Sequence, residues 1–278
     1  MTMLESGDCA NCGRAIAGPE QKFCPACGQT TPAHRIDWHF LGHELEHSVL
    51  HMDRGILYSL KELMLRPGRL IRNYLEGRRA GIVKPVLLVM MTGAAATLVA
   101  HYTLDGDALG WSFNQGMEAG AGYQGGVDAE KAEAAAMMGK VFEMSKDWMN
   151  RHLTLITLLL LPVQAAAFKL AFRRFRQINY PEWLAIVSFL MAQMFVIWTV
   201  FMPLQNWWSS AVTLAMFLAV ILNLFSLTQV FTEYPRWKAF LRGAVGFAMV
   251  QLVTMLLTIV AAVVIGILVG SGRMQLPG

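Results

Sequence analysis

Five stretches of this chain are long and apolar enough that water cannot be their solvent. They run over about 86–104, 153–171, 183–204, 208–231 and 243–269, and none carries a charged residue away from its ends. A helix needs about 20 apolar residues to cross a bilayer. In lipid the backbone must satisfy its own hydrogen bonds, which selects helices. The sequence therefore predicts an all-α polytopic membrane protein with about five transmembrane helices. Composition agrees, with 55% hydrophobic and 15% charged residues. The first span is the least hydrophobic, because Gly93 to Thr97 dilutes it with small residues. No apolar run begins before residue 80, so a secretory signal peptide is not expected.

The four cysteines all fall within the first 28 residues, as Cys9-x-x-Cys12-Gly13 and Cys24-x-x-Cys27-Gly28. Each knuckle places two sulfurs on one tight turn, and the pair supplies the four soft ligands of a closed tetrahedral zinc site. So small a segment has almost no apolar core, so a metal must drive its folding. Two disulfides or a rubredoxin-like iron are the alternatives; the paired spacing favours metal. The expectation is an N-terminal zinc ribbon over 1–33 holding one structural Zn2+ per chain through Cys9, Cys12, Cys24 and Cys27. Amphipathic juxtamembrane helices over 34–84 and a membrane domain over 85–278 follow, with an outer loop over 105–151.

Orientation comes from the basic residues. Arg66, Arg69, Arg72, Arg78, Arg79 and Lys84 precede the first span; Lys169, Arg173, Arg174 and Arg176 follow the second; Arg236, Lys238 and Arg242 precede the fifth. The intervening connections are acidic or uncharged. This alternation predicts a bacterial inner-membrane protein with a cytoplasmic N-terminus and a periplasmic or exterior C-terminus. The ribbon then sits in a reducing compartment, which disfavours disulfides. The net charge of +4 is mostly juxtamembrane and suits anionic lipid head groups, so no nucleic acid is expected. Arg69, Arg72 and Arg79 are the residues expected to face lipid phosphates.

Between ribbon and first span the pattern predicts helices over Ile36 to Met52, Gly55 to Leu65 and Arg69 to Glu76, with Arg66-Pro67-Gly68 as a break. These pieces either lie in the membrane interface or pack on the ends of the spans. Within the first, His43-Glu44-x-x-His47 matches the zincin motif, whose histidines bind zinc while the glutamate activates water. A third ligand is required, and His51 on the same straight helix is too far from His43 to supply it. His43 and His47 stand as an alternative metal pair, but the expectation is that the protein is not an enzyme.

The outer loop divides into a glycine-rich part, Gly110 to Gly126, and a helix starting near Asp128 that extends through Trp148 toward the second span. The intramembrane polar residues are the amides Gln193, Asn223, Gln229 and Gln251. Such groups commonly hydrogen-bond between helices. The spans lack ionisable residues, which argues against an ion-coupled pump.

A set of motifs runs through most of the chain. It comprises Phe23-Cys24-x-x-Cys27-Gly28-Gln29, Asp53-Arg54-Gly55, Ser59-Leu60, Arg66-Pro67-Gly68, Tyr74-x-x-Gly77-Arg78-Arg79, Pro85, Leu161-Pro162, Phe172-Arg173-Arg174 and Asn179-Tyr180-Pro181-Glu182. In these the chain resembles a bacterial membrane family known as domain of unknown function 3667. It departs from that pattern at Gly81-Ile82, where members often have an aromatic residue. The resemblance implies a zinc ribbon joined to a polytopic membrane region and implies no activity. Three functions compete: a non-enzymatic scaffold whose ribbon docks a cytoplasmic protein partner, a transporter or lipid-handling protein with a path lined by Gln193, Asn223 or Gln251, and a zinc protease centred on His43, Glu44 and His47.

Overall fold

The computed structural model describes residues 7–18, 20–31, 33, 35–40, 55–107, 139, 146–175 and 177–270, with backbone alone for 261, 262 and 265–270. The described elements are α1 (Ile56–Leu65), α2 (Pro67–Leu75), α3 (Pro85–Thr103), α4 (Leu153–Ala171), α5 (Tyr180–Phe201), α6 (Ala211–Val230) and α7 (Arg236–Gly270). A 3-10 turn, Met202–Asn206, continues α5. Among the described residues, five helices are long and apolar enough to cross a membrane: Pro85–Thr103, Leu153–Ala171, Tyr180–Asn206, Ala211–Val230 and the stretch Arg236–Val260 of α7. The protein is a helical, multi-pass membrane protein.

α5 is the axis of the bundle. It packs against α3, α4 and α6, while α7 lies outside against α4 and α6. Trp183, Ile186, Phe189, Leu190, Ala192, Gln193 and Phe195 of α5 are all buried. α3 approaches it closely because the α3 side is small: Ala96 and Ala100 are fully buried, and a Cβ on Gly93 would meet Thr154 Oγ1 at 2.9 Å and Phe195 at 3.3 Å. Of the residues that make the first span weakly hydrophobic, Gly93 and Ala96 lie on its packing face, as in small-residue membrane interfaces, while Ala94 and Ala95 are exposed. Hydroxyls are satisfied within their own helices: Thr92 donates to Leu88 O, Thr157 to Leu153 O and Ser188 to Leu184 O, each at 2.8 Å.

One end of the bundle is sealed by aromatic rings. Phe172 stacks on Phe231 at 4.8 Å, Phe175 lies 4.6 Å from Phe231, and Trp183 closes the group against Phe172 at 5.3 Å. The same end carries α1 and α2. Leu63, Leu70, Ile71 and Tyr74 are buried, each contributing about 1.5–3 kcal/mol of transfer free energy. The short helices therefore pack on the ends of the spans, with Leu57 and Leu65 left outward. Of the helix expected from Ile36, residues 38–40 are described as helical, with the Phe40 N–H donating to Asp37 Oδ1 at 2.7 Å. Residues 41–54, and with them His43, Glu44, His47 and His51, lie outside the described residues, as does the loop over 108–138. The helix expected to run through Trp148 is present over 146–151 and is interrupted at His152, the residue before α4.

Proline and glycine act together at the α1–α2 corner. Pro67 opens α2, where a missing N–H costs nothing. Gly68 lets the α2 backbone touch α6: a Cβ there would lie 2.1 Å from that of Gln229. The Gly68 N–H instead donates to Gln229 Oε1 at 3.2 Å. Gly68→Ala forces two helices apart, and overpacking of this kind costs about 1–3 kcal/mol. The variant should melt several degrees below wild type in the same detergent; an unchanged melting temperature would show that the corner yields freely.

Candidate metal centre and its attachment

The two knuckles fold alike. In the first, Gly13 N–H donates to Cys9 O at 2.8 Å and Cys9 N–H to Arg14 O at 2.7 Å. In the second, Gly28 N–H donates to Cys24 O at 2.9 Å and Cys24 N–H to Gln29 O at 2.8 Å. Gly13 and Gly28 adopt φ of 73° and 72°, the left-handed turn that a side chain resists. Isolated antiparallel bridges flank each turn, Asp8 with Ala15 and Phe23 with Thr30. The eleven residues between the inner cysteines thus serve two self-closed loops, instead of forming one hairpin strand pair.

All four thiols are free, and their sulfurs lie within 4.8 Å of one another. Cys9 Sγ is 3.6 Å from Cys27 Sγ, and Cys12 Sγ is 3.6 Å from Cys24 Sγ, so each close pair bridges the two knuckles. A tetrahedral ion with metal–sulfur bonds of about 2.3 Å sets its sulfurs about 3.8 Å apart. The four cysteines can hold one metal ion between them. Residue type and spacing in the sequence located this cluster completely.

Cys24 and Cys12 differ sharply in acidity. Burial raises Cys24, but hydrogen bonds from the Ala26 and Cys27 amides and from the neighbouring thiols outweigh it and hold it at about 6. At Cys12 the Arg14 amide lowers the value, while burial and the Cys24, Cys27 and Cys9 sulfurs push it up to about 12. A metal that needs thiolates must therefore displace the Cys12 proton at neutral pH, whereas Cys24 has already lost its own. Metal binding should release protons near pH 7 and tighten as pH rises. Titration calorimetry in buffers of different ionisation enthalpy measures this; an enthalpy independent of buffer would contradict it.

The ribbon is bolted to the membrane bundle at two places that composition and periodicity did not reveal. Gln29, almost fully buried, accepts the N–H groups of Arg79 at 2.9 Å and Ala80 at 2.8 Å. Beside it the turn at Gly77 receives Ala33; a Cβ on Gly77 would come within 2.9 Å of that of Ala33. Farther along, Arg35 makes a two-pronged contact with Glu182, Nε to Oε1 at 2.7 Å and Nη2 to Oε2 at 2.9 Å. Arg35 also donates to Gln177 O. Its charge is stabilised chiefly by the Glu182 hydrogen bond, which raises its pKa. Glu182 is simultaneously part of the capping box of α5: Asn179 accepts from Glu182 N–H at 2.8 Å, and Glu182 Oε2 accepts from Asn179 N–H at 2.7 Å. Asn179 Nδ2 then donates to Ile36 O at 2.8 Å. The Asn-x-x-Glu spacing before an apolar run is a helix-start signature, so half of this latch had a visible signal. Arg35 had none.

Arg69, Arg72 and Arg79 do not form one group. Arg79 turns toward the ribbon attachment: its guanidinium lies 4.2 Å from the Phe40 ring and 5.2 Å from that of Tyr74, and its Nε donates to Tyr74 O at 3.0 Å. Arg69 and Arg72 border a cavity with Arg66 and Arg236. Ser59, buried on α1, accepts from Val83 N–H at 2.8 Å and ties the segment before α3 to α1. At the departure from the family pattern, Ile82 packs against the main core and Gly81 forms a positive-φ turn.

Among the intramembrane amides, Gln193 is fully buried; its Nε2 donates to Leu63 O at 3.4 Å and its Oε1 accepts from Ser226 Oγ at 2.9 Å. It therefore clamps α1, α5 and α6 together. Asn223 is buried with Oδ1 unpaired among the described residues, and Gln251 is exposed on α7. None of the three lines either described cavity.

Residues 53–95 match the family model described as Protein of unknown function (DUF3667). No curated protein and no solved structure matches it. The matched segment contains the α1–α2 corner, the Gly77–Ala80 seat of the ribbon and most of α3.

Arg35→Ala removes a partner from a buried carboxylate. Leaving a charged acceptor under-satisfied costs about 1–3 kcal/mol, discounted here because Arg35 itself is half exposed. Limited proteolysis should release the ribbon segment faster from this variant while the helical bundle stays protected; equal rates would show that Gln29 alone suffices.

Proposed function

We propose that this protein is a non-enzymatic scaffold of the bacterial inner membrane whose ribbon closes around one structural Zn2+ and serves a cytoplasmic protein partner. The observation that carries this reading is the four-sulfur cluster. Four protein thiolates complete a tetrahedral shell, which leaves no position for substrate or water and makes the ion architectural. Zinc suits this ligand set better than harder cations do, and it brings no redox chemistry. The ribbon has little core of its own, so metal binding supplies its folding free energy, and its fixed seat on the bundle supports a rigid platform. Phe23, 60% exposed on the second knuckle, offers a partner an apolar anchor.

The cytoplasmic placement rests on charge. Arg66, Arg69, Arg72, Arg78, Arg79, Lys84, Lys169, Arg173, Arg174, Arg236, Lys238 and Arg242 all flank the ribbon-side ends of the spans. Asp105, Asp107 and Asp147 lie at the other end, partly offset by Lys146 and Arg151. Short connections rich in Lys and Arg stay inside, and a reducing interior keeps the thiols available for metal.

Elemental analysis of purified protein should find one zinc per chain, lost when Cys24 and Cys27 are both replaced by Ser. Iron in its place, or a metal-free chain, defeats the zinc assignment; a second zinc would revive the His43 and His47 pair. A reporter fused ahead of residue 1 should be active only in its cytoplasmic form. Proximity labelling from the N-terminus should recover soluble proteins that disappear in Phe23→Ala, and an unaltered set of neighbours argues against docking at the ribbon.

A further inference from the structure

At the corner where α1 gives way to α2, four arginines line an open cavity of about 360 Å3. Arg66 lies between the two helices, Arg69 and Arg72 stand one turn apart on α2, and Arg236 opens α7. The volume falls within the range of small-molecule sites. Four like charges sharing one cavity repel one another. No carboxylate among the described residues pairs with any of them: Glu62 and Glu233 form no ion pair there, and Glu76 pairs with Arg78. The concentration of uncompensated positive charge favours an anion at this place.

The cavity walls are held in place. Arg72 Nη1 donates to Thr232 Oγ1 at 3.2 Å, which fixes one guanidinium against the α6–α7 connection. Gln229, also in the wall, is committed through Oε1 to the Gly68 N–H. Two helices begin beside the cavity, α2 at Pro67 and α7 at Arg236, and their amino ends add partial positive charge. Leu65 gives the rim an exposed apolar edge.

We propose that this cavity binds a phosphate-bearing anion, with Arg66, Arg69, Arg72 and Arg236 as the donors. Guanidinium is planar, permanently charged and matched to phosphate in a two-pronged geometry. Arg66, Arg69 and Arg72 are neighbours in sequence, but Arg236 comes from the start of α7, so the four meet only when the bundle is folded. It differs from general surface charge in this respect, and Arg79, occupied with Phe40 and Tyr74, is not part of it. The cavity lies level with the end of α6 and the start of α7, where phospholipid head groups meet a membrane protein. A lipid head group and a soluble phosphate compound present the same chemistry. The assignment holds whichever side of the membrane the ribbon occupies.

The test uses full-length protein in nanodiscs of phosphatidylcholine with phosphatidylglycerol, released and weighed by native mass spectrometry, together with melting in inorganic pyrophosphate. Wild type should retain phosphatidylglycerol, or be stabilised by pyrophosphate, or both. Retention that pyrophosphate does not displace identifies a lipid head group; stabilisation with displacement identifies a soluble phosphate. Each result upholds the phosphate site. Arg66→Gln/Arg69→Gln/Arg236→Gln should weaken the bound anion by about tenfold or more, since hydrogen bonds to charged groups are lost. Arg173→Gln/Arg174→Gln, removing exposed charge from the same end, should leave binding unchanged. Single Arg69→Gln and Arg236→Gln variants, drawn from different helices, keep the test alive if the triple variant fails to fold. Arg69→Lys should restore charge without restoring full binding. If Arg69→Gln and Arg236→Gln bind as Arg173→Gln/Arg174→Gln does, or wild type shows neither ligand, the proposal is overturned.

Discussion

Backbone contact between α2 and α6 at Gly68 is the constraint from which the rest of this end of the molecule is built. Because no side chain separates the two helices there, the Gly68 amide reaches Gln229 directly. The contact lays α2 across the bundle, buries Leu70, Ile71 and Tyr74, and sets where the turn after α2 emerges. That turn then offers the Arg79 and Ala80 amides to Gln29 of the ribbon. It also brings Arg72 to Thr232. The family match over 53–95 covers this collar and not the ribbon or the later spans. What the match covers is therefore a joint between a metal-binding head and a membrane body.

Polar bonds link the ribbon to the bundle beside an apolar contact, in which Ile36 joins the main core. Gln29 and Arg35 each reach a different part of the bundle, the first to the turn after α2 and the second to the start of α5. Glu182 takes part in both the helix cap and the ion pair, so the entry of α5 and the position of the ribbon are set together. Shared use of one carboxylate couples the two units, because a shift of Glu182 disturbs both hydrogen-bond sets.

Long apolar runs and paired Cys-x-x-Cys knuckles were enough to read the helical membrane class and the four-sulfur cluster. Their signals are local: length, hydropathy and the spacing of two residues on one turn. The close-packing role of Gly93, Ala96 and Ala100 looked like weak hydrophobicity, because a sequence window cannot tell lipid-facing from helix-facing positions. Arg35 and Gln29 carried no signal, since their partners lie far away in the chain. Arg79 was grouped with Arg69 and Arg72 on charge alone. The fold separates them: aromatic rings of Phe40 and Tyr74 capture one, and the others turn toward α6 and α7. Non-local pairing decides such cases, and one sequence does not record it.

The length of α7 has a consequence of its own. At 1.5 Å per residue its 35 residues extend about 52 Å, against a hydrocarbon layer of about 30 Å. Little of this helix is covered by the rest of the chain. A rod so much longer than the layer it crosses must lean, or carry its ends well into the aqueous borders. The protein is thereby sensitive to bilayer thickness through this one element.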